Sequence, residues 1–326
     1  MEQRRAGRSG LALSSLGLGT MTWGRETDAD EAAAQLVAFH DAGGTLVDTA
    51  ASYSDGLSED ILGQLLADVI PRDELVVATK AGLRRTEDGV RADSSRRALL
   101  ADLDASLRRL MTDHVDLWQV HTPDAGTPIE ETLAALDAAV TSGKVRYAGV
   151  SNFAGWRTAE AVTWQRAQPG RSPLVTNQVN YSLLERGVER EVVPACLAMG
   201  LGILAYSPLG GGVLTGKYRG GVPVDSREAA GYRNLAPFRR AELAGIVESV
   251  ATAAEGLATS PLAVALAWVR EQPAVTSAIV GVRTLGQLTA ILAATSLTLP
   301  GEIREALDDV SAPLLGYPES FLQESR

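Results

Sequence analysis

Eight short β-rich apolar runs alternate with helix-like stretches along this chain, and that alternation limits its fold more than any other feature. The runs are Leu16 to Thr20, Thr45 to Thr49, Leu75 to Thr79, Val115 to Val120, Val145 to Val150, Leu174 to Val179, Gly202 to Tyr206 and Thr276 to Val280. The intervening stretches lie near 30–42, 58–67, 94–110, 128–140, 155–166 and 188–199, then 241–255, 261–271 and 285–294. Strands separated by helices imply crossover connections and a parallel sheet. Eight such units in 326 residues predict a (β/α)8 TIM barrel, one domain spanning 1–326. A doubly wound sheet is the competing architecture. It would want Gly-x-Gly-x-x-Gly after the first strand, and Gly17-Leu18-Gly19-Thr20-Met21-Thr22 lacks the third glycine.

Local signals refine this outline. Leu99, Leu103, Leu107 and Leu110 mark one face of the third helix. Ser58 reads as the N-cap of the second, with Glu59 and Asp60 in its first turn. The segment Arg4 to Leu13 contains a Gly7–Gly10 turn and predicts an N-terminal β-hairpin plugging the far end of the barrel. A long loop rich in Gly, Pro and Arg follows strand seven, over residues 210–240, and the tail from Ala312 shows no helix period.

Formal net charge is −10, which excludes general nucleic-acid binding because no basic excess exists to neutralise phosphates. No apolar run reaches the roughly 18 residues of a membrane span. The single cysteine, Cys196, excludes an intrachain disulfide framework, and cytoplasmic residence is the default expectation. Nothing in the sequence predicts an oligomer.

Four polar residues stand where buried strands end or just beyond: Asp48, Tyr53, Lys80 and His121. Strand C-termini converge on the rim where barrels place their chemistry. A buried ammonium at Lys80 needs a partner, and Asp48 on the neighbouring strand is the natural one. That pair alone could be structural. Tyr53 changes the reading, because a nearby ammonium favours phenolate and makes a phenol a better acid. Of three histidines only His121 ends a strand, where it can orient a substrate oxygen. No metal site is predicted, since no ligand spacing is present. A Schiff-base lyase using Lys80 is the alternative class, and Asp48 works against it by holding the lysine protonated.

The second half of the barrel supplies different groups. Ser151-Asn152 and Gln178 suit an uncharged carboxamide. Tyr206 offers a ring face. Ser207-Pro208-Leu209-Gly210-Gly211-Gly212, leading to Lys217, suits a diphosphate. Gly281, Arg283 and Gln287 at the start of a helix suit a further phosphate. A ring face, a diphosphate loop and an extra phosphate site describe NADP(H) better than NAD.

With these motifs the chain resembles the aldo-keto reductase superfamily over nearly its whole length. Asp48-Thr49-Ala50 with Tyr53, Gly56, Ser58-Glu59 and Leu62-Gly63 is similar to its first signature, and Lys80 and His121 match its other catalytic positions. Gly149-Val150-Ser151-Asn152-Phe153 matches the segment that holds the nicotinamide amide. Tyr206-Ser207-Pro208-Leu209 with Leu214-Thr215-Gly216-Lys217-Tyr218 resembles the branch with potassium-channel β-subunits and bacterial reductases. The resemblance implies hydride transfer from NADPH to an aldehyde or ketone, with Tyr53 as general acid, Lys80 and Asp48 tuning it, and His121 orienting the carbonyl. It implies that Thr20 and Met21 meet the nicotinamide ribose and that Arg227 meets a cofactor phosphate. Residues 217–240 are expected to fold over the diphosphate. An NADPH-binding redox-sensing subunit with little turnover is a further alternative. Ala290 and Ile291 depart from the acid and amide that usually bind adenine, so weaker cofactor binding is expected. The expected pocket walls are Trp23, Trp118 and Phe153, with Trp118 equally able to face the helix layer.

Overall fold

The computed structural model describes residues 1–324 except 87, 88, 225, 227, 230, 232 and 315. Two strands, β1 (Gln3–Arg5) and β2 (Ala12–Ser14), form the expected antiparallel N-terminal hairpin. The barrel strands are β3 (Leu16–Gly19), β4 (Leu46–Asp48), β5 (Val76–Ala81), β8 (Val115–Val120), β9 (Val145–Ser151), β10 (Leu174–Asn180), β11 (Gly202–Tyr206) and β12 (Val275–Gly281). They pair in parallel and close, β12 returning to β3. The crossovers carry α1 (Ala29–Asp41), α2 (Leu57–Asp68), α3 (Arg96–Arg109), α4 (Ile129–Thr141), α5 (Gly155–Ala167) and α6 (Val188–Met199). Then come α7 (Ala244–Gly256), α8 (Pro261–Arg270), α9 (Leu285–Ala293), α10 (Gly301–Val310) and α11 (Glu319–Glu324). This is the (β/α)8 barrel.

Two apolar layers hold it. Alternate strand residues face outward, where Val47, Val77, Trp118, Val150 and Ile203 pack under the helices. The inward set is Leu46, Ala78, Leu117, Val175, Leu204 and Ile279. Ala6, Leu11 and Leu13 of the hairpin segment join that inner cluster, so the hairpin plugs the end opposite the strand C-termini. Above it the interior turns polar, through Asp48, Lys80, Gln119, Thr176 and Gln178, all buried.

Two local readings are corrected and one element is added. Ser58 does not cap α2; Gly56 does, and the Ser58 hydroxyl instead joins Thr20 Oγ1 at 2.7 Å and Thr49 Oγ1 at 3.0 Å. A second hairpin, β6 (Leu83–Thr86) and β7 (Gly89–Ala92), rises between β5 and α3. The tail is not wholly irregular, since α11 forms within it. Among the described residues no single helix is long and apolar enough to cross a membrane.

Candidate active site

The inward register of β4, β5 and β10 brings three polar ends together. Lys80 Nζ donates to Asp48 Oδ2 at 2.6 Å, to the Thr49 carbonyl at 2.9 Å and to Tyr53 Oη at 3.3 Å. Gln178 Nε2 donates to the other Asp48 oxygen at 2.9 Å. Lys80 and Asp48 are 1% and 2% exposed, so this is a buried, fully hydrogen-bonded pair. Burial pushes the Lys80 ammonium down, but Asp48 and the phenol outweigh it, and the net shift is upward. An ammonium that keeps its proton is no nucleophile, which counts against Schiff-base chemistry.

Tyr53 reaches Lys80 from a turn. After β4 the chain runs through a 3-10 segment, Tyr53–Gly56, in which Ser54, Asp55 and Gly56 have φ of 49°, 56° and 100°. Three successive left-handed residues reverse the chain tightly. Ser54 Oγ donates to the Trp23 carbonyl at 2.8 Å and fastens the turn. Burial raises the Tyr53 phenol above its usual value near 10, although the Lys80 charge pulls it down. The sequence expectation of a lowered phenol is therefore reversed, because desolvation exceeds the ammonium's effect.

His121 sits edge-on to Tyr53, with ring centroids 5.9 Å apart and planes at 80°. Its Nδ1 is buried without a partner, which leaves Nε2 as the ring nitrogen toward the cavity. Burial, aided by the Lys80 charge, pushes the imidazole down to about 3. A neutral ring is thus favoured. An unpartnered N–H costs more than an unpartnered lone pair, so we assign the proton to Nε2. Asn152 Nδ2 donates to the His121 carbonyl at 3.0 Å, and Tyr206 Oη donates to Asn152 Oδ1 at 3.0 Å.

One cavity of about 900 Å³ runs across the rim. Asp48, Tyr53, His121, Ser151, Asn152, Gln178 and Tyr206 line one stretch of it. Ser207, Pro208, Leu209, Gly211, Lys217, Gly281, Arg283 and Gln287 line it as well, as does Met21. Ala290 and Ile291 also line the wall. Leu235, Pro237 and Phe238, from the loop after β11, also line it, so part of the 217–240 segment forms a wall of the cleft. Thr20 is close but buried, its hydroxyl bonded to Ser58. Arg227 lies outside the described residues.

The three expected aromatic walls are elsewhere. Trp23 is buried, and its indole N–H donates to Gln35 Oε1 of α1 at 3.1 Å. Trp118 faces outward into the helix layer, because Leu117 and Gln119 take the inward positions of β8 and His121 follows it in the same phase. Phe153 is buried in the same outer layer. In their place Leu83 and Val90 of the β6–β7 hairpin, with Ser52, Ser54 and Asn180, line the cavity.

The chain matches the model of the Aldo/keto reductase family over residues 15–312. It belongs to that family. An uncharacterized oxidoreductase of Bacillus subtilis (strain 168) is 38% identical, covering 95% of this chain and 96% of that protein. A probable voltage-gated potassium channel subunit beta of Oryza sativa subsp. japonica is 35% identical over 98% of both. Human aflatoxin B1 aldehyde reductase member 2 is 39% identical, covering 85% of this chain and 80% of that protein. This aldo/keto reductase is therefore an oxidoreductase of the branch that includes channel β-subunits. Among the described residues no cluster could hold a metal ion. The β6–β7 wall was missed for a physical reason: Leu83 to Ala92 is polar and rich in arginine, with little apolar alternation to mark strands.

Proposed function

We propose that this aldo/keto reductase uses NADPH to reduce an aldehyde or ketone to the alcohol, with Tyr53 as the general acid. One observation carries the reading. The Tyr53 phenol, held by a buried lysine, opens on the same cavity as Lys217 and Arg283. The donor set fits the cofactor in three places. Gln178 commits Nε2 to Asp48, and its Oε1 is left to accept from a carboxamide. Gly19 also lines the cavity, where an added Cβ would stand 3.0 Å from Ile279, so a flat ring would meet bare backbone there. Lys217 with the loop at Gly211 suits a diphosphate, and Arg283 with Gln287 suits the extra phosphate. Ala290 and Ile291 offer the adenine edge no hydrogen bond from their side chains.

NADPH, when bound, supplies the hydride that reaches the carbonyl carbon. The protein's own groups do the rest. Tyr53 Oη–H and His121 Nε2–H donate to the carbonyl oxygen and orient it. As negative charge develops there, Tyr53 transfers its proton to that oxygen. Lys80 stabilises the phenolate left behind, and Asp48 keeps Lys80 charged. Walls of Met21, Leu83 and Val90 favour small or apolar carbonyl compounds.

The test is NADPH oxidation over a panel of aldehydes and ketones, with Tyr53→Phe as control. Turnover in the variant should fall by about 10²-fold or more, with NADPH binding little changed. Undiminished turnover would sink the mechanism. The likeness to a channel β-subunit supports a second reading, an NADPH-binding redox sensor with little turnover. NADPH binding without reduction of any panel member would favour it.

A further inference from the structure

We infer that Glu59, acting with Thr79, is a positioning pair that sets the contact between Tyr53 and Lys80. Glu59 is fully buried in the first turn of α2, three residues after the tyrosine turn ends. Its Oε1 accepts from Thr79 Oγ1 at 2.5 Å, and its Oε2 accepts from Arg109 Nε at 2.8 Å and Nη2 at 2.6 Å. Thr79 is the residue before Lys80 on β5, and strand alternation sends it outward where Lys80 points inward. One carboxylate thereby joins α2, α3 and the strand that carries the lysine.

The tyrosine turn needs such fastening. Left-handed backbone at Ser54 and Asp55 persists only where the surroundings over-determine it. The turn starts from β4, where Thr49 N–H donates to the Ala78 carbonyl and Ala51 N–H to the Lys80 carbonyl. It leads into α2, whose first turn carries Ser58 and Glu59. Ser58 ties that end to Thr20 and Thr49, and Glu59 ties it to β5. Arg109 leans on the turn itself: a Cβ on Gly56 would lie 2.9 Å from Arg109 Cδ and Nε. A buried carboxylate–guanidinium pair is a poor source of net stability. Its fixed, forked geometry does hold three elements in one register, and so sets the 3.3 Å between Lys80 Nζ and Tyr53 Oη.

This rests on Tyr53 being the proton donor, and the experiment separates the two ideas. Glu59→Gln, Thr79→Val and Thr79→Ser are compared with the unmodified protein and with Tyr53→Phe. In Glu59→Gln and Thr79→Val, kcat should fall about 10- to 100-fold, as expected when reacting groups shift by an ångström or less. KM and NADPH Kd should stay unchanged, and Thr79→Ser, which keeps the hydroxyl, should restore kcat. 3-Fluorotyrosine placed at position 53 gives a readout without turnover. Its phenol, followed by fluorine NMR, should titrate at higher pH in Thr79→Val, because it is less well held by Lys80. Unchanged kcat in both folded variants, or an unchanged fluorine titration, overturns the inference. So does a loss that Thr79→Ser shares and that spreads to Kd, which would mark plain loosening of the fold. Full turnover in Tyr53→Phe would defeat the proposed function instead, and the fluorine titration would still decide the positioning role.

Discussion

Asp48→Asn is the sharpest perturbation of the site, because it keeps shape and removes charge. Asp48 accepts from Lys80 on one oxygen and from Gln178 on the other. An amide has one oxygen and one NH2, so one of the two donors must face another donor. At 2.6 Å the ion pair is worth about 6 kcal/mol for an effective dielectric of about 20. Desolvation of both ions offsets much of that, and breaking one partner of such a buried pair typically costs about 3–5 kcal/mol. Two groups that are 1% and 2% exposed belong in that range. The loss should depend on pH. With Asp48 present, Lys80 is raised above its ordinary value. Its contribution is then complete below the unfolded-state pKa near 10.4 and fades as pH climbs through the folded value. Without Asp48, burial dominates and points the other way, so the variant's penalty is largest near neutrality and shrinks toward alkaline pH. Urea unfolding followed by tryptophan fluorescence at pH 7 and at about pH 10 measures both. The double variant Asp48→Asn/Lys80→Met should recover most of the loss, since no unpaired charge remains. A loss under about 1 kcal/mol at pH 7, or one that pH leaves unchanged, would refute the reasoning.

Three further outcomes follow from the same geometry. With His121 pushed down to about 3, the activity profile should show no limb from this ring between pH 5 and 8. The folded state then binds fewer protons than the unfolded one, so stability should fall as pH drops below about 6.5 toward 3. His121→Gln should flatten that acid-side slope in a pH series of thermal melts. Lys217→Ala or Arg283→Ala should weaken NADPH binding about 5- to 100-fold, as loss of one charge-assisted hydrogen bond predicts. Titration by fluorescence at two salt concentrations checks this, and an effect equal for NADPH and NADH at Arg283 would exclude the extra-phosphate role. The apolar Ala290–Ile291 end predicts a NADPH Kd above about 1 μM at physiological salt, and a submicromolar value would count against it.

The barrel was legible because each buried strand is a short apolar run punctuated by turn residues. Strands β8 and β11 and helix α6 have the boundaries that patterning alone predicts. The catalytic candidates were legible because an ionisable residue ending an apolar run has few structural uses. Other features carried no such mark. The β6–β7 hairpin is largely exposed and lacks apolar alternation, while α10, which buries Leu307 and packs against α7, lies beyond the last barrel unit, where the strand–helix alternation gives no reason to expect a helix. Ser58 is a residue type that commonly caps, but the buried hydroxyls of Thr20 and Thr49 and the Thr20 carbonyl are its partners instead of a backbone N–H. The phenol's upward shift needs the extent of burial, and only the folded chain supplies that.

Trp118, left open between pocket and helix layer, shows what was recoverable. On a regular strand, residues three apart face opposite sides. Placing His121 inward at the end of β8 therefore sends Trp118 outward, and the chain obeys: Leu117 and Gln119 share the inner face, while Trp118 packs wholly buried among the helices. Of the two placements left open for Trp118, pocket or helix layer, only the second is compatible with His121 on the rim. The same alternation places Thr79 outside because Lys80 is inside, and so hands the threonine to Glu59. In the proposed mechanism the lysine that tunes the acid and the threonine inferred to brace it stand one position apart on β5. A search for bracing partners should therefore begin at the sequence neighbours of the inward ionisable groups, not at their contacts within the cavity.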